Sequence, residues 1–276
     1  MRKLFLLLAI GATGRAAILD LKEAVRPKLS YAALLRQVCR HLEVRSDHSQ
    51  ANVKNCVPIY IIASDDQSPV NGDSILQNVS TVDLKIPGKP QLLLKFQIRD
   101  EGEELASPYK LALFEMGEKP RLLDVVEAPS SPDHGGDLWE NGVLHLSPTA
   151  DAFVFETFHW NSQQGYHDLE VMYVYDGKIR LIDAAMLLKC RSCNDGNFEE
   201  TATIATAPDP GRPFNKILFR VSLDLQPDDP GTDRRVRTRR ERREFVATYR
   251  WDATRLDFID PGKTLEKLAA FNEKNQ

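Results

Sequence analysis

Short runs of apolar, β-branched and aromatic residues, broken by clusters of Gly, Pro, Asn and Asp, fill most of this chain. That is the pattern of strands and turns. The runs are Val57–Ala63, Leu92–Ile98, Leu111–Phe114, Leu122–Val126, Ala152–Trp160, Leu169–Tyr175, Lys178–Leu188, Thr201–Ala205, Lys216–Leu225 and Glu244–Trp251. Between Tyr175 and Lys178 lies Asp176-Gly177, a pair that accepts the positive φ angles of a two-residue hairpin turn. Two stretches change to helical spacing. Ser30 is a fitting N-cap for Tyr31, Leu34, Leu35, Val38 and Leu42, which predicts a helix over about 30–43. Thr264 precedes Leu265, Leu268, Ala269 and Phe271, which predicts a second over about 264–274. The expected fold is mainly β, with antiparallel hairpins in a propeller-like or multi-sheet arrangement and one helix near each end. A β-sandwich is the alternative.

The first residues follow a different rule. Arg2 and Lys3 precede the uncharged run Leu4–Ala12, and small residues follow at Ala12, Gly14, Ala16 and Ala17. A charged start, a short apolar stretch and a small-residue boundary are the parts of a secretory signal peptide. A membrane span needs about 20 apolar residues, more than this run supplies. Residues 1–16 are therefore read as a signal peptide cut near Gly14–Ala17, and 17–276 as one mainly β domain, periplasmic or secreted. The alternative is a buried N-terminal helix of a cytosolic protein.

The 276 residues, 42% apolar and 28% charged, are ordinary for a soluble domain able to bury a core without cross-links. The net charge of −4 gives no whole-protein reason to expect nucleic acid as a partner. The cysteines are Cys39, Cys56, Cys190 and Cys193. In an exported chain an even set reads as two disulfides, and the short loops favour Cys39–Cys56 and Cys190–Cys193. A structural zinc on all four is the alternative, since such a site takes four ligands. No other cofactor is expected.

The Asp-Gly hairpin has relatives. Tyr173-Val174-Tyr175-Asp176-Gly177 with Leu181-Ile182-Asp183 is echoed by Tyr249-Arg250-Trp251-Asp252-Ala253 with Phe258-Ile259-Asp260. A looser copy runs from Tyr109 to Phe114 and ends in Leu122-Leu123-Asp124. The segment Asp83-Leu84-Lys85-Ile86-Pro87-Gly88-Lys89-Pro90-Gln91-Leu92-Leu93-Leu94 resembles a worn FG-GAP, or integrin-α-like, repeat. That resemblance implies a β-propeller and an exported or cell-surface binding role. It carries over no calcium site, because calcium takes six to eight oxygen ligands and Asp83 is the one acid in the segment.

Two groups of residues are candidates for chemistry. His134, His145, His159 and His167 lie close together in sequence with Asp133, Asp137, Glu156 and Asp168. Histidine and carboxylate can bind zinc or move protons, and His134, His159, His167 and Asp168 are the candidate catalytic set. No zincin pattern, nucleophile elbow, P-loop or dinucleotide fingerprint accompanies them. The second group is the arginine run Arg234–Arg243, of which Arg237, Arg239, Arg240 and Arg242 are the candidate grip for a polyanion or acidic partner. The competing reading is a solvated hairpin tip neutralised by its own acids. The functional expectation is a non-catalytic exported binding protein, such as an inhibitor or accessory factor of an envelope component. An envelope hydrolase using residues 133–168 is the alternative. The expected partner is a protein or envelope component, not nucleic acid.

Overall fold

The structure is a computed structural model that describes residue 21 and residues 24–44, 51–62, 66, 74–84, 90–100, 108–128, 136–160, 164–191, 198–225 and 240–275. The expected signal peptide lies outside the described residues. The chain opens with a small hairpin, β1 (Ala24–Arg26) and β2 (Leu29–Ser30), and then helix α1 (Tyr31–Val38). The Ser30 side chain accepts from Ala33 N at 3.3 Å, as an N-cap should. Leu34, Leu35 and Val38 form the buried face of the helix.

α1 stops earlier than its helical spacing suggests. At Cys39 the chain turns directly into β3 (Cys39–Val44), which pairs antiparallel with β4 (Ala51–Cys56). Cys39 sits opposite Cys56 and the two form a disulfide. Cross-strand pairing and this bond override local helical propensity, and Leu42 packs on the core from a strand. The other cysteine pair falls outside what is described. Cys190 lies one residue before the end of a strand and its side chain is not described, while Cys193 is not described at all.

The rest is three antiparallel meanders. The first holds β6 (Ser74–Leu84), β7 (Gln91–Asp100), β8 (Tyr109–Glu115) and β9 (Arg121–Glu127). β3 and β4 extend it beyond β6. The short β5 (Tyr60–Ile61) extends it beyond β9 as a parallel strand. The second is β10 (Gly136–Ser147), β11 (Ala150–Trp160), β12 (Gln164–Tyr175) and β13 (Lys178–Arg191). The third is β14 (Phe198–Ala207), β15 (Lys216–Leu225), β16 (Glu241–Asp252) and β17 (Asp257–Ile259). Helix α2 (Thr264–Asn275) closes the chain. This is the mainly β, multi-sheet architecture with a helix near each end that the pattern predicts.

Alternation along the strands decides how these layers stack. On β7, Leu92, Leu94 and Phe96 face α1, while Leu93 faces the second sheet. On β12, Met172 and Val174 face the first sheet, while Leu169, Val171 and Tyr173 face the third. Both faces of both sheets are thus buried, and the order is α1, first sheet, second sheet, third sheet. The outward residues of β15, Arg220 and Ser222, are exposed, so the stack ends on a polar face. Full burial of each large apolar side chain contributes about 1.5–3 kcal/mol, so these interfaces dominate stability.

The three hairpin copies occupy one structural position, the third and fourth strands of each meander. Their closing aspartates have related roles. Asp124 on β9 accepts from Lys178 Nζ and Ile179 N, both at 2.9 Å, at the β12–β13 turn. Asp183 on β13 accepts from the Tyr249 hydroxyl on β16 at 2.6 Å. Each acid pins its meander to the corresponding hairpin of the next. Asp260, the closing acid of the third copy, accepts instead from Gly262 N at 3.0 Å and Thr264 N at 2.9 Å, starting α2. Removing either pin strands a largely buried donor. Asp124→Ala and Asp183→Ala should each lose about 1–3 kcal/mol in urea unfolding. A loss below about 0.5 kcal/mol, the level of an ordinary surface substitution, would show that the pins are ornamental.

Candidate functional site

Turns from all three sheets meet at one end of the stack and enclose a trough. It consists of three adjoining clefts of about 410, 630 and 560 Å³. The first and middle clefts share Gln91, Asp176 and Gly177. The middle and last share Leu146 and Phe214. Clefts of this size suit small organic ligands.

The β12–β13 turn forms the centre of the trough. Asp176 and Gly177 both have positive φ, 50° and 70°, as the tight hairpin requires. This holds Tyr175 beside the trough, with the Arg180 guanidinium over its ring at 5.3 Å. Beneath lies a packed aromatic cluster. Trp251 is 5.3 Å from Tyr175, 4.9 Å from Phe214 and 5.4 Å from Phe258 between ring centroids. Phe214 belongs to the proline-rich segment before β15. Asn215 ties that segment to the second sheet, its N–H donating to Leu146 O at 2.7 Å and its side chain to His145 O at 3.2 Å. The Tyr173 hydroxyl donates to Leu256 O at 2.9 Å and Asp257 Oδ1 at 3.0 Å, fixing the turn before β17. Burial, with Asp257 beside it, pushes this phenol above its ordinary range, so it remains a donor.

Most charges around the trough are paired. Arg121 meets Glu115 at 3.3 Å, Lys178 meets Asp124 at 2.9 Å and Arg250 meets the buried Asp209 at 2.5 Å. At the far end His145 Nδ1 lies 2.7 Å from Asp151 Oδ1. Gln91, at the start of β7, is 7% exposed, and its carbonyl oxygen has no hydrogen-bond partner.

Of the candidate catalytic residues, His167 and Asp168 have described side chains, and the structure does not bring those two together. His134 lies outside the described residues. His159 is on β11 opposite Tyr166, and its side chain is not described. His167 Nδ1 is 2.6 Å from Glu156 Oε1, with its ring edge-on to Phe158. Asp168 follows His167 on β12, so the two point to opposite faces of the sheet. Among the described residues no group of three His, Cys, Asp or Glu side chains is arranged to hold a metal. The Cys39–Cys56 disulfide uses two of the four sulfurs that the alternative zinc site needs.

Of the arginine candidates, Arg237 and Arg239 lie outside the described residues. Arg240 forks onto Asp224, with Nε at 2.7 Å from Oδ1, and Arg242 Nε lies 3.6 Å from the same carboxylate. The Arg240 fork holds Asp224 below the usual carboxylate range. Arg220 pairs with Glu244 at 2.9 Å. These cations carry their own counter-ions.

Sequence reasoning missed the trough. Gln91 and Phe214 sit in unrelated segments, and the Asp176-Gly177 turn signals geometry without function. Comparison with known proteins found no matching family model, no similar curated protein and no similar solved structure. Among the described residues no helix is long and apolar enough to cross a membrane.

Proposed function

We propose that this is an exported, non-catalytic binding protein that holds a component of the cell envelope in the trough, as an accessory factor or inhibitor. The observation that carries the reading is the trough itself, a preformed cleft lined from all three sheets, with aromatic residues from the second and third. The charged and apolar start of the chain supports export, and so does the Cys39–Cys56 disulfide, since such bonds persist in oxidising compartments. Against catalysis stands the separation of His167 and Asp168 onto opposite faces of β12.

The test is retention of solubilised envelope material by the immobilised full chain. Truncating an anchor at the centre of a site typically weakens binding by about 2 kcal/mol or more. Tyr175→Ala combined with Phe214→Ala should therefore abolish retention while Arg240→Ser leaves it intact. Retention that survives the double variant would move the site away from the trough.

One observation favours a second reading. His145 is exposed at the end of the trough while its partner Asp151 is buried, the arrangement of an oriented general base. A hydrolase would lose turnover on His145→Ala with binding retained. The nearest hydroxyl on its strand, Ser147, is 3.5 Å from Thr149 Oγ1, and no hydrogen bond links it to His145.

A further inference from the structure

We infer that the trough takes a neutral glycan, whose sugar rings pack against Tyr175 and Phe214 where they line the middle cleft and whose hydroxyl or acetamido groups are read by Gln91 and Asp176. This rests on the binding reading above and names its ligand class. The argument starts from what the middle cleft leaves unsatisfied. Gln91 lines it with a buried carbonyl oxygen that has no partner, and the Asp176 carboxylate is exposed at the tip of its turn. A half-turn about the last side-chain torsion of Gln91, a broad and two-fold torsion, presents either end of the amide to the trough. The ligand must bring donors to Asp176, while Gln91 can serve a donor or an acceptor on it.

Its charge follows from the neighbours. The Arg180 guanidinium already lies over the Tyr175 ring, which disfavours a cation on that aromatic. The cations that line the trough, Arg121, Lys178 and Arg212, are met by Glu115, Asp124 and Asp209, the last shared with Arg250, which leaves none of the three as a free cationic grip for an anion. A neutral ligand with an apolar face and a rim of donors is a sugar. An extended peptide is the other occupant that aromatic grooves accept, and it gains most by pairing with a free strand edge. Here the walls are strand ends and turns: the start of β7, the β12–β13 turn, the segment before β15 and the turn before β17.

Gln91 also has the signature of a residue kept for binding. An unpartnered buried oxygen destabilises the free protein, so Gln91→Met should leave the fold as stable as before or more so. The experiment is calorimetric titration of the full chain, with Trp251 fluorescence as a second signal. The probes are soluble tetrasaccharides of β-1,4-linked N-acetylglucosamine, β-1,4-linked glucose and α-1,4-linked glucose, with a proline-rich peptide as comparison. At least one sugar should bind, and raising the salt should change its affinity little. Tyr175→Ala and Gln91→Met should each weaken it at least tenfold, about 1.4 kcal/mol. Sugar binding that ignores both variants overturns the assignment, as does failure of every sugar to bind below a Kd of about 10 mM. A peptide bound in the trough and lost in Tyr175→Ala overturns the glycan while leaving the binding reading in place. Retention of envelope material without sugar binding does the same.

Discussion

Raising the pH from 5 to 9 should destabilise this protein by several kcal/mol, the reverse of the usual response of a domain stabilised by ionised carboxylates. Two buried glutamates set the direction. Glu170 on β12 points between the first and second sheets and is 2% exposed, with Oε2 lacking any partner. Burial, reinforced by the charge of Asp168, pushes it from the ordinary 4.5 up to about 8. Glu200 on β14 is also 2% exposed, and burial pushes it up to about 7. Its Oε2 accepts from Leu188 N at 2.7 Å and from Asn272 Nδ2 on α2 at 3.1 Å. Glu200 Oε1 and Asn272 Oδ1 are both buried and unpartnered, so a negative charge on this acid adds to acceptors already short of donors.

Between pH 4.5 and 8 the folded protein therefore holds protons that the unfolded chain has released. Stability is fully present below the unfolded value and is lost as the pH rises through about 7 and then about 8. At about 1.36 kcal/mol per pH unit, complete ionisation of the pair inside the folded state is worth about 5 kcal/mol for Glu170 and about 3 for Glu200. Those are upper figures, and together they approach the stability of a whole domain. Urea unfolding at pH 5, 7 and 9 measures the slope. Glu170→Gln with Glu200→Gln should flatten it and raise stability at pH 9. A wild-type curve that stays level, or one that rises toward pH 9, would mean that neither carboxyl is held neutral.

These residues also mark where sequence reading stops. The strand runs were legible because alternation and turn residues agree, and the expected Lys216–Leu225 is β15 to the residue. β6 and β10 were not legible. β6 carries Gln77, Asn78, Ser80 and Thr81 among its apolar residues, and its register with β7 shifts between Leu76 and Asn78. β10 shifts register between Leu138 and Val143, and there Gly142 has Trp139 and Val154 backbone atoms where a Cβ would stand. The overlong first helix came from Leu42, whose spacing suits either period. The trough could not be read at all. Gln91 and Phe214 come together only because the sheets stack, and no local pattern encodes stacking. The hairpin repeat was visible, yet its meaning lay in Asp124 and Asp183, whose partners belong to the following meander.

Replacing Cys39 and Cys56 together by Ala should produce the second large effect. The bond closes a loop with a sequence separation of 17 residues. The chain-entropy relation assigns such a loop about 3 kcal/mol, through the conformations it removes from the unfolded chain. A local term acts in the same direction. Cys39 is 1% exposed and is the residue at which α1 gives way to β3, packed among Leu34, Leu35, Val38 and Val53. Without the bond, helical spacing through Leu42 competes with the strand, and the outermost pair of the first sheet becomes its weakest. Hydrogen exchange should show lost protection over residues 39–44 and 51–56, with little change in the second and third sheets. Urea unfolding should show the expected drop, and dithiothreitol on the wild type should reproduce it. A full-stability double variant would mean that strand pairing alone holds β3 against β4. The disulfide would then lose its force as support for an oxidising compartment, and the export reading would stand on the first sixteen residues alone.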